Sequence, residues 1–164
     1  MANNNILFFS NPQIIFKRFA GDGFKQGRPT FGIRLTDDLA KQLEEAGWPV
    51  SSYVPKTDPT REPELFLKVP IYWYGEGDNL TPKIVSTDTF TGKKMPYLPN
   101  TVHRLDRIDM KNVEVEIQRY WNDKYSNPGW CIKLLRMHFD IETTEFDRKM
   151  DLGDDWEVDN ADTL

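Results

Sequence analysis

Between Phe16 and Arg34 the chain sets five cations, Lys17, Arg18, Lys25, Arg28 and Arg34, against one acid, Asp22, for a local charge of +4. Phe16, Phe19, Phe24 and Phe31 are interleaved with them. Further on, the stretch Leu65 to Tyr74 (LFLKVPIYWY) puts Phe66, Lys68, Tyr72 and Tyr74 on positions of one parity. Ammonium and guanidinium groups neutralise phosphates, and flat rings are platforms on which unpaired bases stack for about 1–3 kcal/mol each. A duplex hides its base faces, so a basic surface rich in rings suits single strands. Packing competes for the same rings. Strand alternation requires Phe16 or Phe19 to face inward, and Phe31 aligns with Ile33 and Leu35 as core. Trp73 falls on the apolar side of its strand, whereas Tyr72 and Tyr74 lie opposite it.

Catalytic chemistry is thin by comparison. The two histidines, His103 and His138, each lack the Cys and His companions of a zinc site. Cys131 stands alone and reads as a small buried hydrophobe. There is no phosphate loop, dinucleotide fingerprint or nucleophile elbow. Asp106, Asp109, Glu114 and Glu116 keep a metal-dependent nuclease open as a third reading, since Glu114 and Glu116 share one strand face. The expectation is a binding protein without enzymatic activity, metal or cofactor.

The elements that must position these residues are mostly strands. Gln13–Ala20 reads as a strand entered through Pro12, the glycine-rich Gly21–Pro29 as a hairpin-like loop, and Thr30–Leu35 as a second strand. A helix over Asp37–Ala46 follows, with Thr36 or Asp37 as N-cap, Leu39, Ala40 and Leu43 on its apolar side and Gly47 as its stop. Trp48–Val54 is a third strand, Pro55–Pro63 a surface loop, and Leu65–Tyr74 a strand that Pro70 marks as an edge or as bulged. Pro82–Thr87 is a short strand, Thr91–Lys93 a turn, and Pro99–Leu105 one or two helical turns. Lys111–Trp121 points Val113, Val115 and Ile117 inward. Trp130–Glu142 sets Leu135, Met137, Phe139 and Ile141 against Arg136, His138, Asp140 and Glu142. This pattern predicts a mainly β protein, an OB-fold-like five-stranded antiparallel barrel with one helix after the second strand.

The last fifteen residues, Met150–Leu164, carry six carboxylates and no Lys or Arg. Without them the net charge of −5 becomes +1, from 21 basic and 20 acidic groups, so a near-neutral body bears a polyanion at its end. Such a run cannot bury enough apolar surface to offset its ordering entropy and is expected to be disordered. The chain therefore divides into a binding domain over 1–146 and an acidic tail over 147–164. A single cysteine rules out an internal disulfide and fits a reducing compartment. No apolar run approaches the roughly 18–20 residues of a membrane span, and the amino terminus lacks a signal pattern, so an intracellular, soluble protein is expected.

Four segments together resemble the phage-encoded single-stranded DNA-binding proteins with an OB-fold. They are NPQIIFKRFAGDG (Asn11–Gly23) leading into FGIRL (Phe31–Leu35), and the helix DDLAKQLEEAGW ending at Trp48. Then come EPELFLKVPIYW (Glu62–Trp73) with PKIV (Pro82–Val85), and VEVEIQRYWN (Val113–Asn122) answered by GWCIKLLRMHF (Gly129–Phe139). They span most of the body, and their order rather than any one motif carries the likeness. The resemblance implies a viral protein in the cytoplasm of the infected host cell. It would coat single-stranded DNA without sequence preference during replication, recombination and repair, its tail contacting replication proteins such as a polymerase or helicase-primase. Related tails often end in an aromatic residue; this one ends in Leu164, with Trp156 eight positions earlier.

The expected DNA groove is built from the first two strands and Leu65–Tyr74. Arg18, Lys25, Arg28, Arg34 and Lys68 hold phosphates, Phe19, Phe24, Tyr72 and Tyr74 stack bases, and Tyr53 and Tyr120 assist. In the tail Asp151, Asp154, Asp155, Trp156, Glu157, Asp159 and Asp162 contact partners and compete with DNA for the groove. The competing reading is a virion or scaffold protein using the same barrel for protein contacts, and the sequence leaves self-association open.

Overall fold

The computed structural model describes residues 5–21, 28–73, 81–123 and 128–142. Alternating runs become strands in two sheets. The larger runs β1 (Ile6–Ser10), β8 (Lys111–Asn122), β9 (Gly129–Ile141), β6 (Lys83–Asp88) and β7 (Lys94–Tyr97) in spatial order. The smaller runs β2 (Ile14–Arg18), β3 (Thr30–Arg34), β5 (Glu64–Pro70) and β4 (Ser51–Tyr53). Among the described residues all strand pairs are antiparallel except β6 with β9. The fold is mainly β, as expected, but the five-stranded antiparallel barrel is not what forms. Among the described residues no strand pairing joins the two sheets into a closed barrel.

The helix α1 (Asp37–Glu45) is where the sequence places it. The Thr36 hydroxyl accepts the Leu39 N–H at 3.3 Å, which identifies the N-cap, and Asp37 and Asp38 complement the dipole of the first turn. Gly47, at φ 91°, ends it and lets the Trp48 N–H return to the Leu43 carbonyl at 2.8 Å. It follows the third strand rather than the second, because β1 forms ahead of the first expected strand. ILFFS lacks two-residue alternation, yet Leu7 and Phe9 pack on the core while Phe8 is exposed. A short strand, β7, is also new. Its Pro96 argues against a strand, but at the sheet edge a missing N–H costs no ladder bond. Pro70 is the last residue of β5, opposite Thr30 and beyond the Glu64–Phe66 stretch that β4 covers, so the strand is an edge at that point although β5 as a whole lies between β3 and β4. The one or two helical turns expected over Pro99–Leu105 form as a 3-10 helix shifted to Val102–Arg107.

The core lies between the sheets. Phe31, Ile33, Leu67, Val69 and Ile71 meet Val115, Ile117, Leu134, Met137 and Phe139, with Ala40, Leu43 and Trp48 joining from the helix side. Each such side chain contributes about 1.5–3 kcal/mol of burial. Leu135 is expected inside but is not. Glu116 pairs with Arg136 while Ile117 pairs with Leu134, so Leu135 is the extra residue of a β-bulge and the inward set shifts to Ile132 and Leu134. Asp106, from the 3-10 helix, ties down the end of β2. Its Oδ1 accepts the Phe19 N–H at 2.7 Å and its Oδ2 the Ala20 N–H at 2.9 Å. Among the described residues no helix is long and apolar enough to cross a membrane. The tail over 147–164 lies outside the described residues, as does 143–146 of the expected domain.

Candidate nucleic-acid interface

The outer face of the smaller sheet is set by register. Arg34, Phe66 and Ser51 form one cross-strand row, Tyr53 stands opposite Glu64, and Gly32 stands opposite Lys68. By alternation Glu64, Phe66 and Lys68 share this side, while Leu67, Val69 and Ile71 fill the core. The pairing of β2 with β3 slips between Ile15 and Arg18, and within that irregularity Phe16 adopts φ 50°. This left-handed conformation is strained for a bulky residue and re-aims the ring outward. Phe16 stays 42% exposed and meets Phe66 edge-on at 4.9 Å and Tyr53 at 5.4 Å between centroids. Gly32 makes room for this cluster. A Cβ there would stand 3.1 Å from Ile15 Cγ1 and 3.2 Å from Phe66 Cδ2.

Beside these rings lies an open cleft of about 300 Å³ lined by Ile15, Phe16, Tyr53, Pro55, Arg61, Glu62 and Glu64. Arg34 does not stand free on the face. Its Nε pairs with Glu64 Oε1 at 2.6 Å and its Nη1 donates to Gln13 Oε1 at 3.1 Å. Lys68 is exposed in the middle of the same strand.

A second cluster forms past the end of β5. The Ile71 N–H donates to the Pro29 carbonyl at 2.9 Å, which brings Arg28 beside Tyr72. The Arg28 guanidinium carbon lies 4.0 Å from the Tyr72 ring centroid, and Tyr72 meets Tyr120 edge-on at 6.5 Å. Lys133 Nζ is 5.7 Å from the Tyr120 ring, and Gln118 pairs with Lys133 as Tyr120 does with Cys131, so these residues share a face of the hairpin.

Of the residues expected at the groove, Arg34, Lys68 and Tyr53 come together on the small sheet, and Arg28, Tyr72 and Tyr120 form the second cluster. Arg18 is exposed at the end of β2. Phe19 is a correction: it is 0% exposed, and its ring stacks on Phe31 at 5.4 Å. With Phe16 turned outward and Asp106 holding the next backbone N–H groups, Phe19 points into the core and offers no face to a base. Phe24, Lys25, Tyr74, Asp151, Asp154, Asp155, Trp156, Glu157, Asp159 and Asp162 lie outside the described residues.

Sequence reasoning passed over Lys133, the cleft residues Arg61, Glu62 and Glu64, and one aromatic pair. Trp121 and Trp130 are 54% and 37% exposed and meet edge-on at 5.4 Å. Alternation along β8 gives them the parity of the core residues Ile117 and Ile132, but they lie beyond the core's end. Below them Arg119 stacks against Trp130 at 4.5 Å and Trp48 at 5.2 Å, and Nη1 donates to the Ala46 carbonyl at the end of α1. Two further ion pairs join Arg136 to Glu116 at 3.0 Å and Lys111 to Glu142. That second pair raises the Lys111 pKa and lowers that of Glu142, each chiefly through the hydrogen bond between them. Among the described residues no group of three or more His, Cys, Asp or Glu is placed to hold a metal ion. His138 Nε2 is engaged with Thr87 Oγ1 at 2.8 Å.

The fold has a counterpart among solved structures. It is similar to the single-stranded DNA-binding protein from bacteriophage Enc34, in a C-terminal truncation, with a TM-score of 0.51. The match covers 85% of this chain and 87% of that one, at 10% sequence identity, so the likeness is one of fold. No protein-family model and no curated protein sequence matches the chain.

Proposed function

We propose that the protein binds single-stranded DNA in an OB-fold-like manner, along the outer face that runs from Phe66 through Lys68 to Tyr72. The observation that carries this reading is a ring-and-cation cluster on the outer side of β5 and a second one just past that strand's end. Six residues separate Phe66 from Tyr72, roughly 20 Å at the rise of a β-strand. A strand of DNA laid along that line meets rings at both ends and a cation between them. Phosphates are held by Lys68, Arg28 and Lys133. Arg18 and Arg61 extend the basic path, while Arg34 contributes little net charge because Glu64 neutralises it. The fold shared with a phage single-stranded DNA-binding protein supports the same reading. We extend it to a phage protein that coats DNA during replication, recombination and repair in the host cytoplasm, its acidic tail reaching replication partners.

Tryptophan fluorescence across a salt series tests the core of this. Poly-dT is expected to quench the emission saturably, and the logarithm of the affinity to fall linearly with that of salt concentration. Lys68→Ala is expected to reduce that slope by about 0.7, the value of one phosphate contact on a single strand. A labelled strand that does not bind even at low salt rejects the function and favours a protein-contact role.

The tail makes a separate prediction. Removing Met150–Leu164 takes away six carboxylates and is expected to raise affinity for DNA at low salt, with the gain vanishing as salt screens the charges. Equal affinities with and without the tail at low salt would exclude competition.

A further inference from the structure

We propose that the cleft beside Phe16 reads an unpaired base through its amino group, so that the protein prefers cytosine, adenine or guanine to thymine. This rests on the single-strand reading above and adds base discrimination to it.

The cleft has the volume of a small-ligand site, about 300 Å³, and one side of it is aromatic. Phe16 and Tyr53 meet there at an interplanar angle of 75°, and Phe66 supports Phe16 from behind. Phe16 is held in a left-handed backbone conformation that its type disfavours, and such strain persists where the surroundings over-determine it and collects at ligand sites. A base can therefore stack on a ring that is already fixed in place.

The other side is acidic, which is unexpected for a surface that binds a polyanion. Glu62 and Glu64 both line the cleft, with Arg61 next to them. Glu64 is oriented by Arg34, which Gln13 steadies in turn. Arg34 is thus a positioning residue whose charge is used on a carboxylate rather than on a phosphate. A carboxylate only accepts hydrogen bonds. The N4 amino group of cytosine and the N6 amino group of adenine can donate to it, as can the N1–H and N2 amino group of guanine. Thymine has one N–H donor flanked by two carbonyl oxygens, which face the carboxylates as like partial charges. Two carboxylates lining a stacking cleft favour a base that supplies N–H donors over one that presents carbonyl oxygens to them. Arg61 is left to meet the phosphate of the same nucleotide.

The test compares labelled dC12 and dT12 on the full chain at mildly alkaline pH, where cytosine strands stay unpaired. The natural protein is expected to bind dC12 about fivefold more tightly. The Glu62→Gln, Glu64→Gln double variant gains amide donors and loses two negative charges. It is expected to bind dT12 at least as well as the natural chain does, with the ratio near one. Phe16→Ala is expected to abolish the preference while retaining binding at the Tyr72 cluster. Equal affinity of the natural protein for the two strands, tighter binding of dT12, or a preference that survives in the double variant overturns base reading and leaves single-strand binding intact. Failure to bind either strand overturns the single-strand reading and this inference with it.

Discussion

Replacing Tyr72 with alanine is expected to weaken oligo-dT binding by about 1–3 kcal/mol, roughly five- to 150-fold, without changing the slope of affinity against salt. The ring now carries Arg28 on one face at 4.0 Å. An exposed cation–π contact is worth about 0.5–1 kcal/mol, less than the stacking of a base on the same ring. Exchange is therefore favourable: a base takes the ring, and the released guanidinium is free for a phosphate. Tyr120 meets the edge of Tyr72 and holds its plane, so Tyr120→Ala should act in the same direction but more weakly. The measurement is fluorescence anisotropy of a labelled strand at several salt concentrations. A Tyr72→Ala protein with unaltered affinity would remove this cluster from the interface. A change confined to the salt slope would make its role electrostatic through Arg28.

Phe19→Ala is expected to cost about 3–5 kcal/mol of folding stability, read as a shift in a denaturant melt. The ring is fully buried against Phe31, and its deletion leaves a cavity that the two packed sheets cannot readily fill. Against a total stability of about 5–15 kcal/mol, that loss brings the protein close to unfolding. Phe19→Leu is the gentler variant for binding measurements, and its folded form is expected to hold DNA as tightly as the natural chain. A large loss of affinity in a fully folded Phe19→Leu protein would return Phe19 to the surface site.

These two aromatic residues, both candidates for stacking from sequence, separate what periodicity can and cannot tell. Tyr72 keeps the parity of Lys68 and Phe66 in the sequence, and the stretch that carries them alternates through β5, which ends at Pro70 two residues before the tyrosine. Phe19 is three residues from Phe16, so in regular alternation the two fall on opposite faces. Alternation alone does not say which faces inward. The slip in β2 decides it, and neither the strain at Phe16 nor the grip of Asp106, 87 positions away, has a local signature. The same holds for Leu135, where one extra residue in β9 reverses the inward set.

The sequence by itself determined most of the strands, though not β1 or β7, the helix with its Thr36 cap and Gly47 stop, the inward faces of β3, β5 and β8, and the charge difference between an acidic terminus and a near-neutral body. Each of these depends on neighbours within a few positions, where side-chain period and capping chemistry act. Only the tertiary structure decided that the nine strands among the described residues form two sheets, that β6 runs parallel to β9, and that Arg34 is neutralised by Glu64. It also brought Arg28, Tyr72, Tyr120 and Lys133 together across a span of more than 100 residues. Pairing partners, bulges and long-range ion pairs follow from how whole faces bury against one another, and that competition is settled over the entire chain.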